Sequence, residues 1–184
     1  MELLRTRRLL LRHWDEPDLP AFFDLYSRDA VTRWLGPHPR RALATVDQAR
    51  DRLGRWRALE HELQPPLGLW AMVPLSGPPP QPPVGTLLLM PLDDGGGPTG
   101  LVEVGWHLHP DHQGQGLATE AALAVLAAAG QAGIGEVLAV TDLDNVASQA
   151  VAERMSMHDD GMTGRWFGLT MRQYRKVTGH GPDR

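Results

Sequence analysis

The segment His109-Pro110-Asp111-His112-Gln113-Gly114-Gln115-Gly116-Leu117-Ala118-Thr119-Glu120 bears most directly on chemistry. Glycines at 114 and 116 let the backbone turn sharply and bring successive N–H groups to one side. A strand-like run, Leu101 to Leu108, leads into the turn, and an alanine-rich helical run, Thr119 to Ala132, leaves it. A helix starting there adds unpaired N–H donors and the positive end of its dipole. Strand, glycine turn and helix together make a cradle for a pyrophosphate. The spacing is not that of the dinucleotide fingerprint, which needs a third glycine, nor of the Walker loop, which needs Gly-Lys-Ser/Thr. A glycine turn opening an ordinary surface helix reads the same way, so the neighbouring residues decide.

Downstream, Asn145-Val146-Ala147-Ser148 precedes a second helical run, Gln149 to Met155. Asn is a strong helix cap, and both polar side chains there can bond backbone or ligand. Upstream, residues 4 to 12 read Leu-Arg-Thr-Arg-Arg-Leu-Leu-Leu-Arg, and Thr119-Glu120-Ala121 follows the loop directly. Gln113-x-x-Gly116-x-Ala118 resembles the acyl-CoA loop of the GCN5-related N-acetyltransferases (GNAT). The Asn-x-x-Ser pair, the opening strand and Thr-Glu-Ala are similar to those of its RimJ/RimL-like branch, which includes enzymes that acetylate the N-termini of ribosomal proteins. The motifs occur in the family's order and span most of the chain.

The resemblance implies a single-domain α/β fold over residues 1–177, followed by a flexible tail at 178–184. The sheet would be mixed and mostly antiparallel, flanked by helices, with strands four and five splayed to admit a pantetheine arm. Acetyl-CoA is the implied acyl donor, with no metal. Its implied contacts are Trp106, His107, Leu108, Gln113, Gly114, Gln115, Gly116, Leu117, Ala118, Thr119, Asn145 and Ser148.

Transfer of an acyl group from a thioester to an amine requires deprotonation of the amine, support for the oxyanion and neutralisation of the leaving thiolate. Direct attack in a ternary complex needs no protein nucleophile, in keeping with a chain that has no cysteine. Glu103, on the strand feeding the loop, is the expected general base, since many relatives carry a glutamate there. Partial burial would raise its pKa and improve it as a proton acceptor. The alternative is a strand carboxylate facing solvent or an arginine. His107 shares the strand parity of Glu103 and hence a face, with an intrinsic pKa suited to base work; a hydrogen-bonded spectator is the simpler role.

Ser148 is the expected donor to the thioester or the leaving sulfur. Many relatives instead use a tyrosine later in that helix, and the matching position here is Ala152. Simple capping by Asn145 with Ser148 exposed is the alternative. Where the family favours Gly-Phe after this helix, the chain has Ser156-Met157. The oxyanion partner is expected to be a backbone N–H on strand four near Trp106. Glu120 is read as structural, Trp34 and Trp70 as core or cleft walls. His109, His112 and His158 lack metal-ligand spacing.

The composition of the 184 residues, 42% hydrophobic and 22% charged, is that of a globular chain. A net charge of −4 offers no general attraction to nucleic acid. The arginines at 5, 7, 8 and 12 interrupt any signal-peptide core, and no apolar run approaches the roughly 20 residues needed to cross a bilayer. A cytoplasmic location follows as an expectation. The expected partners are a small-molecule amine or a protein N-terminus, with a homodimer permitted, and neither nucleic acid nor membrane.

Along the chain, Leu3 to Trp14 reads as a first strand. Leu19, Phe22, Phe23 and Tyr26 mark a short helix. Thr45-x-x-Gln48 resembles a capping box opening a second helix, with Val46, Ala49, Leu53, Trp56, Leu59 and Leu63 on its apolar face. Leu67–Leu75, Val84–Leu92, Leu101–Leu108, Glu136–Thr141 and Thr170–Val177 read as the remaining strands. The proline-rich stretch at 76–83 is an extended loop, and Asp93 to Gly100 a turn. Acceptor choice is expected to reside in Asp29 to Ala44 and in a last hairpin around Asp159 to Gly168.

Two other functions fit the same residues. One is a non-catalytic acyl-CoA-binding module, kept open by the missing tyrosine. The other is a nucleotide-phosphate-binding regulatory domain. Within the enzyme class, another acyl group such as succinyl is an alternative to acetyl.

Overall fold

A computed structural model describes residues 4–78 and 80–179. The chain runs β1 (Leu4–Arg5), β2 (Leu9–His13), α1 (Leu19–Tyr26), α2 (Asp29–Thr32), α3 (Val46–Glu62), β3 (Gly68–Pro74), β4 (Gly85–Asp93) and β5 (Pro98–Leu108), then α4 (Leu117–Gln131), β6 (Glu136–Asp142), α5 (Val146–Arg154), β7 (His158–Thr163) and β8 (Met171–Val177). The strands form one eight-stranded sheet in the order β1-β2-β3-β4-β5-β6-β8-β7. Every pairing is antiparallel except β5 with β6. This is the mixed, mostly antiparallel α/β sheet that the sequence predicts.

Strand alternation sorts the core into two sides. Leu9, Leu11, Trp70, Met72, Leu87, Leu89 and Val104 pack with Leu117, Ala121, Ala122 and Val125 of α4 and with Ala152 and Met155 beside α5. The small side chains of α4 let the helix lie close to the sheet. On the opposite face, Ala71 and Val73 pack against Leu19, Phe22, Leu25, Tyr26, Ala49 and Leu53 of α1 and α3. Phe22 meets Trp14 edge-on at 5.1 Å, and each such fully buried apolar side chain contributes about 1.5–3 kcal/mol. Further along that second face, Leu138, Trp166 and Met171 form a smaller cluster with Phe167 at its rim.

Several boundaries differ from the sequence reading. The first strand is a hairpin: the Thr6 N–H donates to the Leu9 carbonyl at 2.9 Å, splitting β1 from β2, and Leu3 lies outside the described residues. Of the apolar stripe on α3 only Ala49 and Leu53 are buried, while Val46 and Leu59 are exposed. Its Thr45 cap accepts from Gln48 N–H at 3.2 Å, but Gln48 reaches back to Ala44 N–H, one residue beyond a standard box. Helix α5 starts three residues before the expected Gln149. Strand β7 was expected only as part of a hairpin, because Asp159, Asp160 and Gly161 are weak strand formers. Pairing with β8 forms it, with a register shift at Asp159/Gly161. Thr178, expected at the start of a loose tail, is docked: its N–H donates to Gly135 O at 3.0 Å and its hydroxyl to Ile134 O. The rest of the expected tail, beyond Gly179, lies outside the described residues. Among the described residues no helix is long and apolar enough to cross a membrane.

Candidate active site

Strands β5 and β6 meet at a single ladder pair, Glu103 with Leu138. Beyond it, toward Leu108 and Asp142, the strands part, and a cleft of about 750 Å³ opens between them. The cleft passes through the plane of the sheet. One wall is the glycine loop with the starts of α4 and α5; the other is the face that carries α1 to α3. Glu103, Trp106, His107, Leu108, Gln113, Gly114, Gln115, Gly116, Leu117, Ala118, Thr119, Asn145 and Ser148 all line it. The structure thus brings every site residue expected from sequence to one cavity.

The loop is held from behind. Gln113 Nε2 donates to Leu108 O at 3.0 Å, tying the turn to the end of β5. Gly114 and Gly116 have φ of 73° and 76°, left-handed values that a side chain adopts only at a cost. Gly116 is the N-cap of α4, and no side chain caps the helix. The first intrahelical bond there is Glu120 N–H to Gly116 O at 3.0 Å, so the N–H groups of Leu117, Ala118 and Thr119 are left for a ligand. The Thr119 hydroxyl is also buried, without a partner among the described residues. These unspent donors, at glycines allowing close approach, fit the pyrophosphate of coenzyme A.

Glu120 fixes this helix start. Its carboxylate accepts from Thr6 Oγ1 at 2.6 Å, Arg8 N–H at 2.8 Å and Arg8 Nε at 2.7 Å. Arg8 also donates to the Gln115 carbonyl at 2.9 Å. Burial opposes ionisation of Glu120, but these donors outweigh it and hold the carboxyl below its ordinary range. Its role is structural, as its sequence position suggested.

Asn145 caps α5 by accepting from the Ser148 N–H at 3.2 Å. Buried Gln149 donates to the carbonyls of Asp142 (3.2 Å) and Leu143 (2.9 Å), clamping the helix start to the end of β6. Ser148 lines the cleft, and its hydroxyl has no hydrogen-bond partner among the described residues. Ala152, matched from sequence to the family's tyrosine, is fully buried in the core and offers no donor to the cleft. The cleft-facing residues of α5 are Ala147, Ser148, Ala150, Val151 and Arg154, among which Ser148 supplies the hydroxyl.

Glu103 lies at the crotch of the splay, on the face shared with Gly105 and His107. Its carboxylate has no hydrogen-bond or ion-pair partner among the described residues, and desolvation pushes its pKa up to about 7. His107 is differently placed. Its Nδ1 lies 2.8 Å from Tyr26 Oη, which lies 2.7 Å from Thr86 Oγ1. Burial, reinforced by nearby Arg52, pushes the imidazole down to about 4 and keeps it neutral near pH 7. The hydrogen-bonded role for His107 is the one observed. The His107 carbonyl points at Gly85, where a Cβ would approach it to 2.4 Å, and the His109 N–H bonds Val84 O at 2.8 Å. Odd-numbered residues of β5 therefore turn their backbone groups toward β4, and alternation turns the Trp106 N–H toward the open gap.

The second wall draws on both segments expected to hold acceptor choice: Trp34, Leu35 and Gly36 after α2, and Phe167 in the last hairpin. Leu88 of β4 and Met171 of β8 complete it and were not singled out from sequence. Trp34 is thus a cleft wall, whereas Trp70 is core. Arg40 bolts this wall in place, with Nε to Gly36 O at 2.9 Å, Nη1 to Arg33 O at 2.9 Å and Nη1 to Asp142 Oδ2 at 2.7 Å. Burial would raise the Asp142 carboxyl, but the Arg40 and Asp144 N–H bonds hold it below its usual range.

The acetyltransferase (GNAT) domain family matches residues 8–158. The chain belongs to this family of acetyltransferases. No curated protein matches the sequence. Among solved structures, a GNAT-family acetyltransferase from Bacillus anthracis superposes with a TM-score of 0.75 at 17% identity, covering 96% of this chain and 99% of that one. An acetyltransferase from Agrobacterium tumefaciens gives 0.72 at 23% identity, covering 96% and 94%. RimL, a ribosomal L7/L12 α-N-protein acetyltransferase in complex with coenzyme A, gives 0.70 at 19% identity, covering 96% and 98%. These likenesses are of fold.

Proposed function

We propose that this chain transfers acetyl from acetyl-CoA to a primary amine, by direct attack of the amine in a ternary complex, and that it acts in the cytoplasm. The observation that carries the reading is the position of Glu103. An unpaired carboxylate sits where β5 and β6 part, in the same cleft as the unspent N–H donors of α4.

In this reading the segment Gln113 to Thr119 binds the pyrophosphate, and Asn145 with the free edge of β5 aligns the pantetheine arm. Acetyl-CoA supplies the activated acyl carbon when bound. An alkylammonium must lose a proton before it is a nucleophile, and Glu103 accepts it. A base titrating at about 7 is ionised for a large part of the time at neutral pH and remains basic enough to take the proton. The Trp106 N–H faces the gap where the carbonyl oxygen gathers charge. As the N–C bond forms and the C–S bond breaks, the Ser148 hydroxyl is positioned to donate to the leaving sulfur. The acceptor, a small-molecule amine or a protein N-terminus, enters from the wall that carries Trp34 and Phe167.

The test is a panel of amines and peptide N-termini incubated with protein and acetyl-CoA, read both as free CoA and as acetylated product. Acetylated amine supports the proposal. Acetyl-CoA binding without turnover of any amine assigns a non-catalytic binding module. Binding of ATP in preference to acetyl-CoA assigns a nucleotide regulator.

A further inference from the structure

The wall opposite the glycine loop is built mainly from apolar side chains, with Glu103, His107 and Asp142 as its polar members. Leu88 forms its floor: it pairs with Gly105 across β4 and β5, and a Cβ at Gly105 would meet the Leu88 side chain at 3.1 Å. Trp34 and Leu35 rise from one side, Phe167 and Met171 from the other, around Glu103. The next carboxylate on that face, Asp142, is occupied by Arg40 at 2.7 Å.

Phe167 is held there against a local preference. Its φ of 56° is left-handed, and Gly168 follows at 66°. A bulky residue at such an angle is an outlier that persists only where its surroundings over-determine it. They do so here. Trp166 before it is fully buried and anchored by its Nε1–H to Gln173 Oε1 at 2.8 Å. The Arg165 guanidinium covers the Trp166 ring at 4.5 Å, and the Leu169 N–H closes the turn on the Trp166 carbonyl at 3.0 Å. A glycine at 167 would meet the backbone requirement with less strain. The chain instead puts an aromatic ring at the cleft.

We infer that Phe167 and Trp34 select the acceptor, and that this acceptor is a primary amine flanked by an uncharged apolar group. That chemistry is shared by arylalkylamines and by polypeptide N-termini with a bulky apolar first residue. The inference rests on the acetyl-transfer reading of the same cleft. Polyamines would leave a second ammonium facing Leu88 and Met171, with Asp142 already paired. Amino sugars would strip several hydroxyls of water against the same wall, where Glu103 and His107 offer too few partners to repay the desolvation cost.

The experiment measures kcat/KM with acetyl-CoA for 2-phenylethylamine, spermidine and glucosamine, and for short peptides beginning with Phe, Leu, Ser or Asp. The apolar acceptors are expected to exceed the polar ones by about 10–200-fold, the range over which apolar pocket contacts separate substrates. The better of the amine and peptide arms identifies the source. Phe167→Gly should raise KM for the apolar acceptor and collapse the preference, with acetyl-CoA Kd unmoved and Tm unchanged or higher. Phe167→Leu should recover much of the preference. Wild-type preference for spermidine or glucosamine overturns the inference and leaves acetyl transfer standing. Equal selectivity of wild type and a folded Phe167→Gly overturns it as well. If no amine of any kind is acetylated, the transfer reading and the inference fall together.

Discussion

The two walls of the cleft are built by different physics. The donor wall is backbone: a glycine turn, an uncapped helix start and a strand edge whose alternate N–H groups have no strand opposite. The acceptor wall is side chain: Trp34, Leu35, Leu88, Phe167 and Met171, drawn from segments far apart in sequence. A wall of N–H groups recognises any ligand with the same phosphates, so it suits one fixed co-substrate. A wall of side chains can be changed one residue at a time without disturbing the donor site. Glu103 sits where the two walls meet, and in the proposed reaction it would serve both.

The largest effect that separates the walls is expected at their junction. Glu103→Gln should lower turnover about 10²–10⁴-fold, the usual scale for a lost general base, while acetyl-CoA affinity holds. Wild-type kcat/KM should rise with pH through about 7, as Glu103 ionises, and this limb should vanish in the variant. The sign for stability is opposite. A carboxyl whose folded pKa is raised favours folding below its unfolded pKa and loses that contribution as pH rises through the folded value. Glu103→Gln should therefore melt higher than wild type at pH 8. A full-activity variant with an intact pH limb would take the role of base away from Glu103.

On the donor wall, Gly116→Val forces a β-branched residue to a φ of 76°, with its Cβ 3.6 Å from Arg8 Nη2, so the turn should relax out of the conformation that offers its N–H groups and binding must restore it. At about 1–3 kcal/mol for such a backbone conformation, acetyl-CoA should bind roughly 5–150-fold more weakly, as a calorimetric titration would show. Acceptor preference should survive, because the opposite wall is untouched. Loss of acceptor selectivity in this variant would mean the walls are not independent.

Ser148→Ala should act more modestly, about tenfold on the single-turnover rate, because a thiolate is already a tolerable leaving group. Its acetyl-CoA affinity should fall less than its rate. Affinity falling alone would make Ser148 a binding residue, and no change in either would leave it a helix position capped by Asn145.

Smallest of all should be the catalytic effect of Glu120→Ala, whose consequence is stability. The loss of its bonds to Thr6 and Arg8 should cost about 1–2 kcal/mol at neutral pH, reduced from the charged-bond range by partial exposure of Arg8. A carboxyl held below its ordinary range stabilises above its unfolded pKa, and that contribution disappears as pH falls through the folded value. Wild type and variant melting curves should converge in acid.

The contrast between the walls also explains what could be read from the residues alone. Gly114, Gly116 and Asn145 announce their conformations locally, because left-handed glycines and helix caps are short-range chemistry. The parity of Glu103 and His107 follows from strand alternation. Phe167 carries no such mark: its left-handed φ is imposed by the burial of Trp166 and the Gln173 bond, which only the folded chain reveals. Strand β7 owes its existence to pairing with β8 against the preferences of Asp159, Asp160 and Gly161. The burial of Ala152 likewise depends on how α5 packs against the sheet, which the residue's place in the sequence does not show.

In the proposed reaction an acyl donor held by backbone groups delivers its thioester to Glu103 through the gap between β5 and β6. A crystal structure with coenzyme A would decide this. Pyrophosphate oxygens are expected on the N–H groups of Leu117 to Thr119, the arm along the free edge of β5, and the sulfur in the gap between Glu103 and Ser148. A coenzyme bound with its pyrophosphate away from α4, or with its thiol outside that gap, would contradict it.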